Sequence, residues 1–146
     1  DVKVRRKYLD KEGGELDINK IKQGELVIAE VTIEAEQEEI DNLVVTDMLP
    51  AGLEIENPRL QSREAFEWTK GAKGIPLFYP EYMDIRDDRM ILFVNAPKGK
   101  PHKFYYALRA VTSGEFILPS IKAEAMYDPV KASFASSGKI KVVPMD

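Results

Sequence analysis

The sequence predicts an all-β fold, an antiparallel β-sandwich, and three observations support this prediction. Short segments in which apolar and polar residues alternate recur along most of the chain, as expected for strands with one buried face. Turns rich in glycine, proline and charged residues separate them, at a spacing typical of a sandwich of about eight or nine strands. No segment requires a long helix. The length of 146 residues fits one domain of this kind.

The first predicted strands show the alternation most clearly. An opening strand carries Val2, Val4 and Arg6 on one face. From Glu25 a second strand becomes progressively more polar on one of its faces, and we expect that face to meet water. The opposite face is entirely apolar and is predicted to lie in the core: Val27, Ala29, Val31, Ile33 and Ala35.

The middle of the chain is the least regular part. The strand 42–47 ends at the Leu-Pro-Ala-Gly-Leu segment 49–53, because proline cannot continue a central ladder and glycine permits a reversal. Residues 62–69 fit either one helical turn or an irregular strand. Residues 75–80 are apolar but carry two prolines, which favours an extended cover over the sandwich edge. The aromatic segment within 58–82 is expected to pack on the domain's own sheet. An exposed patch that binds a partner is the alternative for this segment.

The second half of the chain contains four further strands and a closing hairpin. Consecutive apolar residues at 91–94 predict a strand that is buried on both faces. The next strand, 103–112, alternates again, and two shorter strands follow at 115–118 and 121–127. The closing hairpin runs over 132–143. Six positions in these and the earlier strands are predicted core residues: Val31, Ile33, Leu92, Phe104, Tyr106 and Leu108.

The composition excludes several classes of function. A net charge of −4 argues against a protein that tracks nucleic-acid phosphates, and the short basic runs at 3–7 and 98–103 are interpreted as solvated strand faces and turns. No apolar run approaches the ~20 residues that a membrane helix requires. The chain has no cysteine, so it has neither disulfides nor a thiol nucleophile. Because it begins with Asp1 rather than methionine, we expect it to be a piece of a larger protein.

No combination of residues predicts catalysis or a metal site. His102 is the single histidine and stands among prolines and lysines, without a neighbouring nucleophile or acid. The acidic segments 34–41 and 84–88 match no calcium-loop spacing, and we interpret them as solvated turns. The serines of 133–137 lack the Gly-x-Ser-x-Gly elbow. We therefore predict a non-enzyme that has no cofactor and no metal.

Several short phrases carry a more specific signal than the alternation does. A Val-Arg-Arg-Lys-Tyr strand opens the series and the segment 22–27 continues it. Four further phrases follow in order: Asp47-Met48-Leu49-Pro50-Ala51-Gly52-Leu53-Glu54, Arg86-Asp87-Asp88-Arg89, Tyr106-Ala107-Leu108-Arg109-Ala110 and Met126-Tyr127-Asp128-Pro129. Together they resemble the last domain of the bacterial α2-macroglobulins, large periplasmic thioester proteins thought to trap proteases. The resemblance covers nearly the whole chain and is loose only over residues 58–80.

This resemblance implies an immunoglobulin-like or macroglobulin-like sandwich, in which residues 1–146 form a single C-terminal domain of a larger thioester protein. It implies that the domain packs on the thioester domain of the same parent chain and shields the thioester until a bait region is cleaved. Proteases would then be indirect targets of the parent, and the location would be the periplasm or the cell envelope. Neither a nucleic-acid partner nor a membrane span in this chain is implied.

The resemblance also implies a site. In this family a Met-Tyr pair covers the thioester, and Met126 and Tyr127 match that pair by position. From the residues alone, Tyr127 fits an edge tyrosine that caps the core before a turn as well as it fits an interface. Two other classes of function remain open: a structural Ig-like stalk module of a surface protein, and a ligand-binding sandwich that uses the aromatic segment 66–82.

Overall fold

The computed structural model describes residues 2–56, 82–126 and 138–145, which form strands and no helix. The strands are β1 (Val2–Leu9), β2 (Ile21–Lys22), β3 (Leu26–Ala35), β4 (Ile40–Met48), β5 (Leu53–Ile55), β6 (Tyr82–Ile85), β7 (Arg89–Ala96), β8 (His102–Ala110), β9 (Gly114–Leu118), β10 (Ile121–Ala125) and β11 (Gly138–Val143). The alternation did not predict β2, β5 and β6, because elements of two to four residues are too short to show a period.

Two four-stranded sheets form the sandwich. The first has the strand order β1-β3-β8-β5, and the second has the order β10-β4-β7-β6. Every neighbouring pair within these two sheets is antiparallel. Apolar side chains from both sheets belong to one buried cluster, which is the core of the domain. The predicted all-β sandwich is therefore confirmed.

A third, smaller sheet has the order β2-β11-β9 and was not predicted. Its β11 strand is antiparallel to β9 but parallel to β2, with Val142 beside Ile21. Both of these side chains are buried in the same core as those of the large sheets. The sequence predicted instead a hairpin over 132–143, of which 132–137 lies outside the described residues.

The predicted core is confirmed at every position. Burial follows from the register of β3 on β8, which sets Val27 opposite Leu108, Ala29 opposite Tyr106 and Val31 opposite Phe104 on the inward face. All six predicted core residues are buried: Val31, Ile33, Leu92, Phe104, Tyr106 and Leu108.

The outward face of β3 is more buried from solvent than the alternation predicted. Glu30 and Thr32 are buried, and Ile28 is fully so. The reason is the central position of β3 between β1 and β8, since cross-strand neighbours cover its outward side chains. Glu30 accepts a hydrogen bond of 2.9 Å from the Tyr105 hydroxyl, and the Lys103 ammonium lies 3.5 Å from its carboxylate. A charged residue at this position is therefore buried with partners.

The prediction that 91–94 is buried on both faces was wrong. Along β7, buried and half-buried residues alternate, with Leu92 and Val94 inward and Ile91 and Phe93 half-buried on the outward side. β7 lies inside its own sheet, but only one face of that sheet meets the core. A run of apolar residues therefore indicated a half-buried outer face rather than a second core face.

The turn before β5 shows why the Leu-Pro-Ala-Gly-Leu segment needs its glycine. The N–H of Leu53 donates to the carbonyl of Pro50 at 3.1 Å, which closes the turn. A Cβ at Gly52 would lie within 3.0 Å of three atoms of the Phe116 ring. The ring of β9 thus packs directly on the glycine, and this contact connects the small sheet to the turn.

Several predictions fall on residues that are not described. They are the choice between helical turn and irregular strand at 62–69, nearly all of the aromatic segment 58–82, the serines of 133–137, and Tyr127.

Candidate functional site

The end of β10 is where the structure places the described half of the predicted Met-Tyr pair. β10 is the outer strand of the sheet β10-β4-β7-β6, and it pairs with β4 from Ile121 opposite Asp47 to Ala125 opposite Leu43. The N–H of Met126 continues this ladder by one bond, donating to the carbonyl of Asn42 at 3.0 Å. The backbone of Met126 is thus held by the sheet although the residue lies just beyond the strand.

Asn42 owes its position to an irregularity in β4. The register of β4 on β7 shifts between Ile40 and Leu43, and Asn42 has a φ of 56°, in the left-handed region. Asparagine tolerates this conformation better than most residues. Its N–H donates to the side-chain oxygen of Asn95 at 2.9 Å, which fixes the bulge to β7. The bulge therefore sets the point at which Met126 leaves the sheet.

The side chain of Met126 points outward. Ile121 and Ala123 are fully buried, whereas Lys122, Glu124 and Met126 are exposed, as the period of a strand requires. Met126 is 50% exposed, although methionine is an apolar side chain. An anchored backbone that carries an exposed, flexible apolar side chain is suited to contact with another surface. Tyr127 lies outside the described residues, so its predicted role stays a prediction.

A buried polar cluster lies between the two large sheets, away from Met126, and the sequence did not predict it. The Arg6 guanidinium of β1 donates to one carboxylate oxygen of Asp47 in β4, and the Tyr106 hydroxyl of β8 donates to the other. Arg6 also donates to the carbonyl of Pro119 at 2.5 Å. The cluster therefore joins both sheets and the segment between β9 and β10.

Burial and pairing together set the electrostatics of this cluster. Burial raises the pKa of the Asp47 carboxyl, while the Arg6 guanidinium and the Tyr106 hydroxyl act against it. Burial also raises the pKa of the Tyr106 hydroxyl well above 10.0, and the Asp47 charge adds to this effect. For Arg6, burial lowers the pKa, but Asp47, Tyr8 and Tyr106 together outweigh this effect and the net shift is upward. Tyr106 is thus a stable hydrogen-bond donor at neutral pH.

Tyr8 belongs to the cluster through its ring and not through its hydroxyl. The Arg6 guanidinium lies 5.4 Å from the centre of its ring, within the range of a cation–π contact. The Tyr8 hydroxyl is buried and has no hydrogen-bond partner among the described residues. No member of the cluster is open to a substrate, because the Arg6 and Asp47 side chains are only 2% and 0% exposed. The cluster holds the two sheets together and does not form an active site.

Two signals in the sequence pointed to this cluster. Arg6 was predicted to share a face with Val2 and Val4, which are core residues, and Tyr106 was predicted to be buried. The interpretation of the basic run 3–7 as a solvated strand face was wrong for Arg6, whose side chain is buried against Asp47. A buried arginine requires a buried acceptor, and Asp47 is such an acceptor in the neighbouring sheet.

Two other candidates of the sequence, His102 and part of the acidic segment 84–88, lie on the framework or the surface. His102 begins β8 opposite Ile33 and is half-buried. Asp84 accepts two bonds from Arg86, at 3.0 and 2.9 Å, so part of the acidic segment 84–88 is a charge-paired turn. Among the described residues, no group of three His, Cys, Asp or Glu side chains could hold a metal ion. In the same ranges, no helix is long and apolar enough to cross a membrane.

Sequence comparison identifies relatives over almost the full chain. Residues 2–129 match the family model described as the bacterial alpha-2-macroglobulin MG10 domain. An alpha-2-macroglobulin of Pasteurella multocida is 33% identical over 144 residues, which is 97% of this chain and 7% of that protein. The chain therefore spans a small fraction of the length of the curated relatives that it matches.

Solved structures agree with the sequence matches. A Salmonella alpha-2-macroglobulin, mutant Y1175G, superposes with a TM-score of 0.82 at 32% identity, covering 98% of this chain and 9% of that one. A trypsin-activated alpha-2-macroglobulin from Escherichia coli gives a TM-score of 0.84 at 26% identity, covering 98% of this chain and 10% of that one. The fold and a family match that extends over residues 2–129 show that the chain belongs to the bacterial alpha-2-macroglobulin MG10 domain family.

Proposed function

We propose that residues 1–146 form the C-terminal domain of a bacterial α2-macroglobulin-like protein. In this proposal the domain packs on the thioester domain of the same parent chain and shields the thioester until a protease cleaves the bait region. Met126 and Tyr127 form the cover. The supporting observation is Met126 itself, an apolar side chain that is 50% exposed while its backbone is held by Asn42.

The chemistry of a thioester explains why such a cover is needed. Water and amines attack an acyl thioester, so the bond persists only where they are excluded. A methionine adapts its shape to an irregular apolar surface, and a tyrosine adds ring area and one hydroxyl. Because Met126 lies at the end of the outer strand β10, a neighbouring domain could reach it without disturbing the core.

Relatives with solved structures give the proposal a chemical context. A Salmonella alpha-2-macroglobulin is described as reacted with methylamine, and Escherichia coli proteins are described as activated by trypsin or by porcine elastase. We extend this behaviour to the parent of the present chain. The proteases that it meets are then its indirect targets, and its place is the periplasm or the cell envelope.

The test is the rate at which methylamine consumes the thioester of the intact parent protein. Replacing Met126 or Tyr127 by alanine opens a path for the amine, so consumption should accelerate by about tenfold or more, since the loss of one water-excluding side chain changes access rather than chemistry. The matched control is Met145→Ala, which removes an equally large exposed methionine elsewhere on the fold. Equal rates in all four proteins would contradict the proposed cover.

A further inference from the structure

The outward face of the small sheet is built mainly from lysines. Along β11, Ile140 and Val142 point into the core, whereas Lys139 and Lys141 point outward and are exposed. The parallel neighbour β2 adds Lys22, which is exposed.

In the described part of the chain, the acidic residues Glu115 and Glu25 lie beside these lysines. Across the register, Lys141 faces Glu115 of β9, and the Lys139 ammonium lies 3.5 Å from the Glu115 carboxylate. Both partners of this pair are well exposed, so water and salt weaken it. Glu25 lies near Lys22 and accepts the N–H of that residue at 3.0 Å. Lys20, which is also exposed, adds a fourth positive charge beside β2.

Exposed apolar side chains flank the lysines at both ends of the sheet. Ile117 of β9 lies opposite Lys139 and is 73% exposed. Met145 follows the other end of β11 and is 72% exposed, and its N–H faces the Gln23 side chain. Large apolar side chains that remain in water beside a row of lysines form an amphipathic surface. We define the lysine face by these six residues: Lys20, Lys22, Lys139, Lys141, Ile117 and Met145.

We propose that the lysine face binds the surface of an anionic phospholipid bilayer. Lysines near such a surface each contribute a favourable electrostatic interaction, and adjacent apolar side chains enter the headgroup region. A protein partner fits this face less well, because the centres of protein interfaces are depleted in lysine and enriched in arginine and aromatic residues. The described part of the lysine face contains neither of these.

This inference is independent of the proposed cover over the thioester. Met126 extends from the sheet β10-β4-β7-β6, whereas the lysine face belongs to the separate sheet β2-β11-β9. A domain held at a bilayer through one sheet would leave the end of β10 available to a neighbouring domain. The net charge of the whole chain is −4, so the attraction to a bilayer must come from this local face.

The test is flotation of the 146-residue chain with vesicles of phosphatidylcholine, either pure or mixed with phosphatidylglycerol. We expect capture by the mixed vesicles at low salt, little capture by the pure ones, and release as salt rises. The triple variant Lys22→Glu, Lys139→Glu, Lys141→Glu should bind at least about tenfold more weakly. The matched control is Lys11→Glu, Lys98→Glu, Lys100→Glu, which makes the same change in net charge at exposed lysines elsewhere and should bind as the parent sequence does.

A second variant measures the apolar contribution to binding. It also tests the proposal independently if the triple lysine variant does not fold. Ile117→Ser with Met145→Ser keeps every lysine and should weaken capture by several-fold, since the buried apolar area is lost. Circular dichroism of each variant checks that it retains its strands. The proposal is overturned if the anionic vesicles capture nothing, if pure phosphatidylcholine captures as much, or if the control triple loses as much binding. Binding of the remaining parent domains in place of vesicles would assign the face to a protein partner and also overturn it.

Discussion

The Arg6 guanidinium donates a hydrogen bond to the Asp47 carboxylate across the interior of the sandwich, and the two side chains are 2% and 0% exposed. One residue belongs to β1 and the other to β4, so the pair connects the two large sheets. Removing both charges from water carries a cost, which their attraction and their further bonds to Tyr106 and Pro119 offset.

This pair predicts strongly coupled substitutions. Asp47→Asn leaves a buried guanidinium without a counter-charge and should lower the unfolding free energy by about 3–5 kcal/mol. Arg6→Met leaves a buried carboxylate with the Tyr106 hydroxyl and should cost a similar amount. The double variant should cost clearly less than the sum of the two single changes, as urea unfolding of all four proteins would show. Additive costs would mean that the two residues act separately.

Tyr8 and Tyr106 are both buried, and they predict opposite responses to loss of the hydroxyl. Tyr8→Phe removes a buried hydroxyl that has no hydrogen-bond partner in the described part of the chain, so stability should stay unchanged or rise by up to about 1 kcal/mol. Tyr106→Phe removes the donor to Asp47 and should cost about 1.5–3 kcal/mol, because that acceptor is charged. Each variant serves as the control for the other in thermal or urea unfolding. If Tyr8→Phe costs as much as Tyr106→Phe, the Tyr8 hydroxyl has a partner in solution.

Stability should fall at alkaline pH. Burial raises the pKa of Tyr106, and that of Tyr8, above their ordinary value of 10.0. Above that pH the unfolded chain loses both hydroxyl protons while the folded chain keeps them, so the folded state binds more protons and the unfolding free energy decreases as pH rises. Each group contributes up to about 1.4 kcal/mol per pH unit. Urea midpoints at pH 9 and 11 measure this loss, and Tyr8→Phe should reduce it. An unchanged loss in that variant would place the titrating group elsewhere.

The turn at Gly52 predicts a steric effect. Gly52→Ala adds a Cβ within 3.0 Å of the Phe116 ring and should cost about 1–3 kcal/mol, because the half-buried ring must move. Gly138→Ala is the matched control, since a Cβ there meets no atom of the described residues within 4 Å. Thermal unfolding compares the two. A Gly52→Ala protein as stable as Gly138→Ala would show that Phe116 shifts freely.

The alternation of apolar residues predicted the fold class and the core, because a strand with one buried face repeats every two residues. It placed Val31, Tyr106 and Leu108 correctly in the core. The alternation could not predict how exposed an outer face is to solvent, since that depends on the neighbouring strands. Glu30 is buried because Tyr105 and Lys103 flank it. The prediction of a non-enzyme is confirmed by membership of a macroglobulin domain family.

Less of the candidate site than of the fold could be predicted from the sequence. The phrases that resemble the family identified Met126, but nothing in them showed that Asn42, more than eighty residues earlier, holds its backbone. The parallel pairing of β2 with β11 was missed for the same reason, because contacts between the two ends of a chain leave no local pattern. The buried Arg6–Asp47 pair likewise joins segments that are distant in sequence.

The most direct test of the proposed cover is oxidation of Met126 by hydroxyl radicals in the intact parent protein, before and after trypsin cleavage. We expect Met126 to be protected before cleavage and its oxidation rate to rise at least about fivefold afterwards, since a methionine sulfur oxidises only where it is accessible. Met145, which is 72% exposed in this domain, is the internal reference for the dose. If Met126 oxidises equally fast before and after cleavage, in protein whose thioester is intact beforehand, Met126 does not cover the thioester.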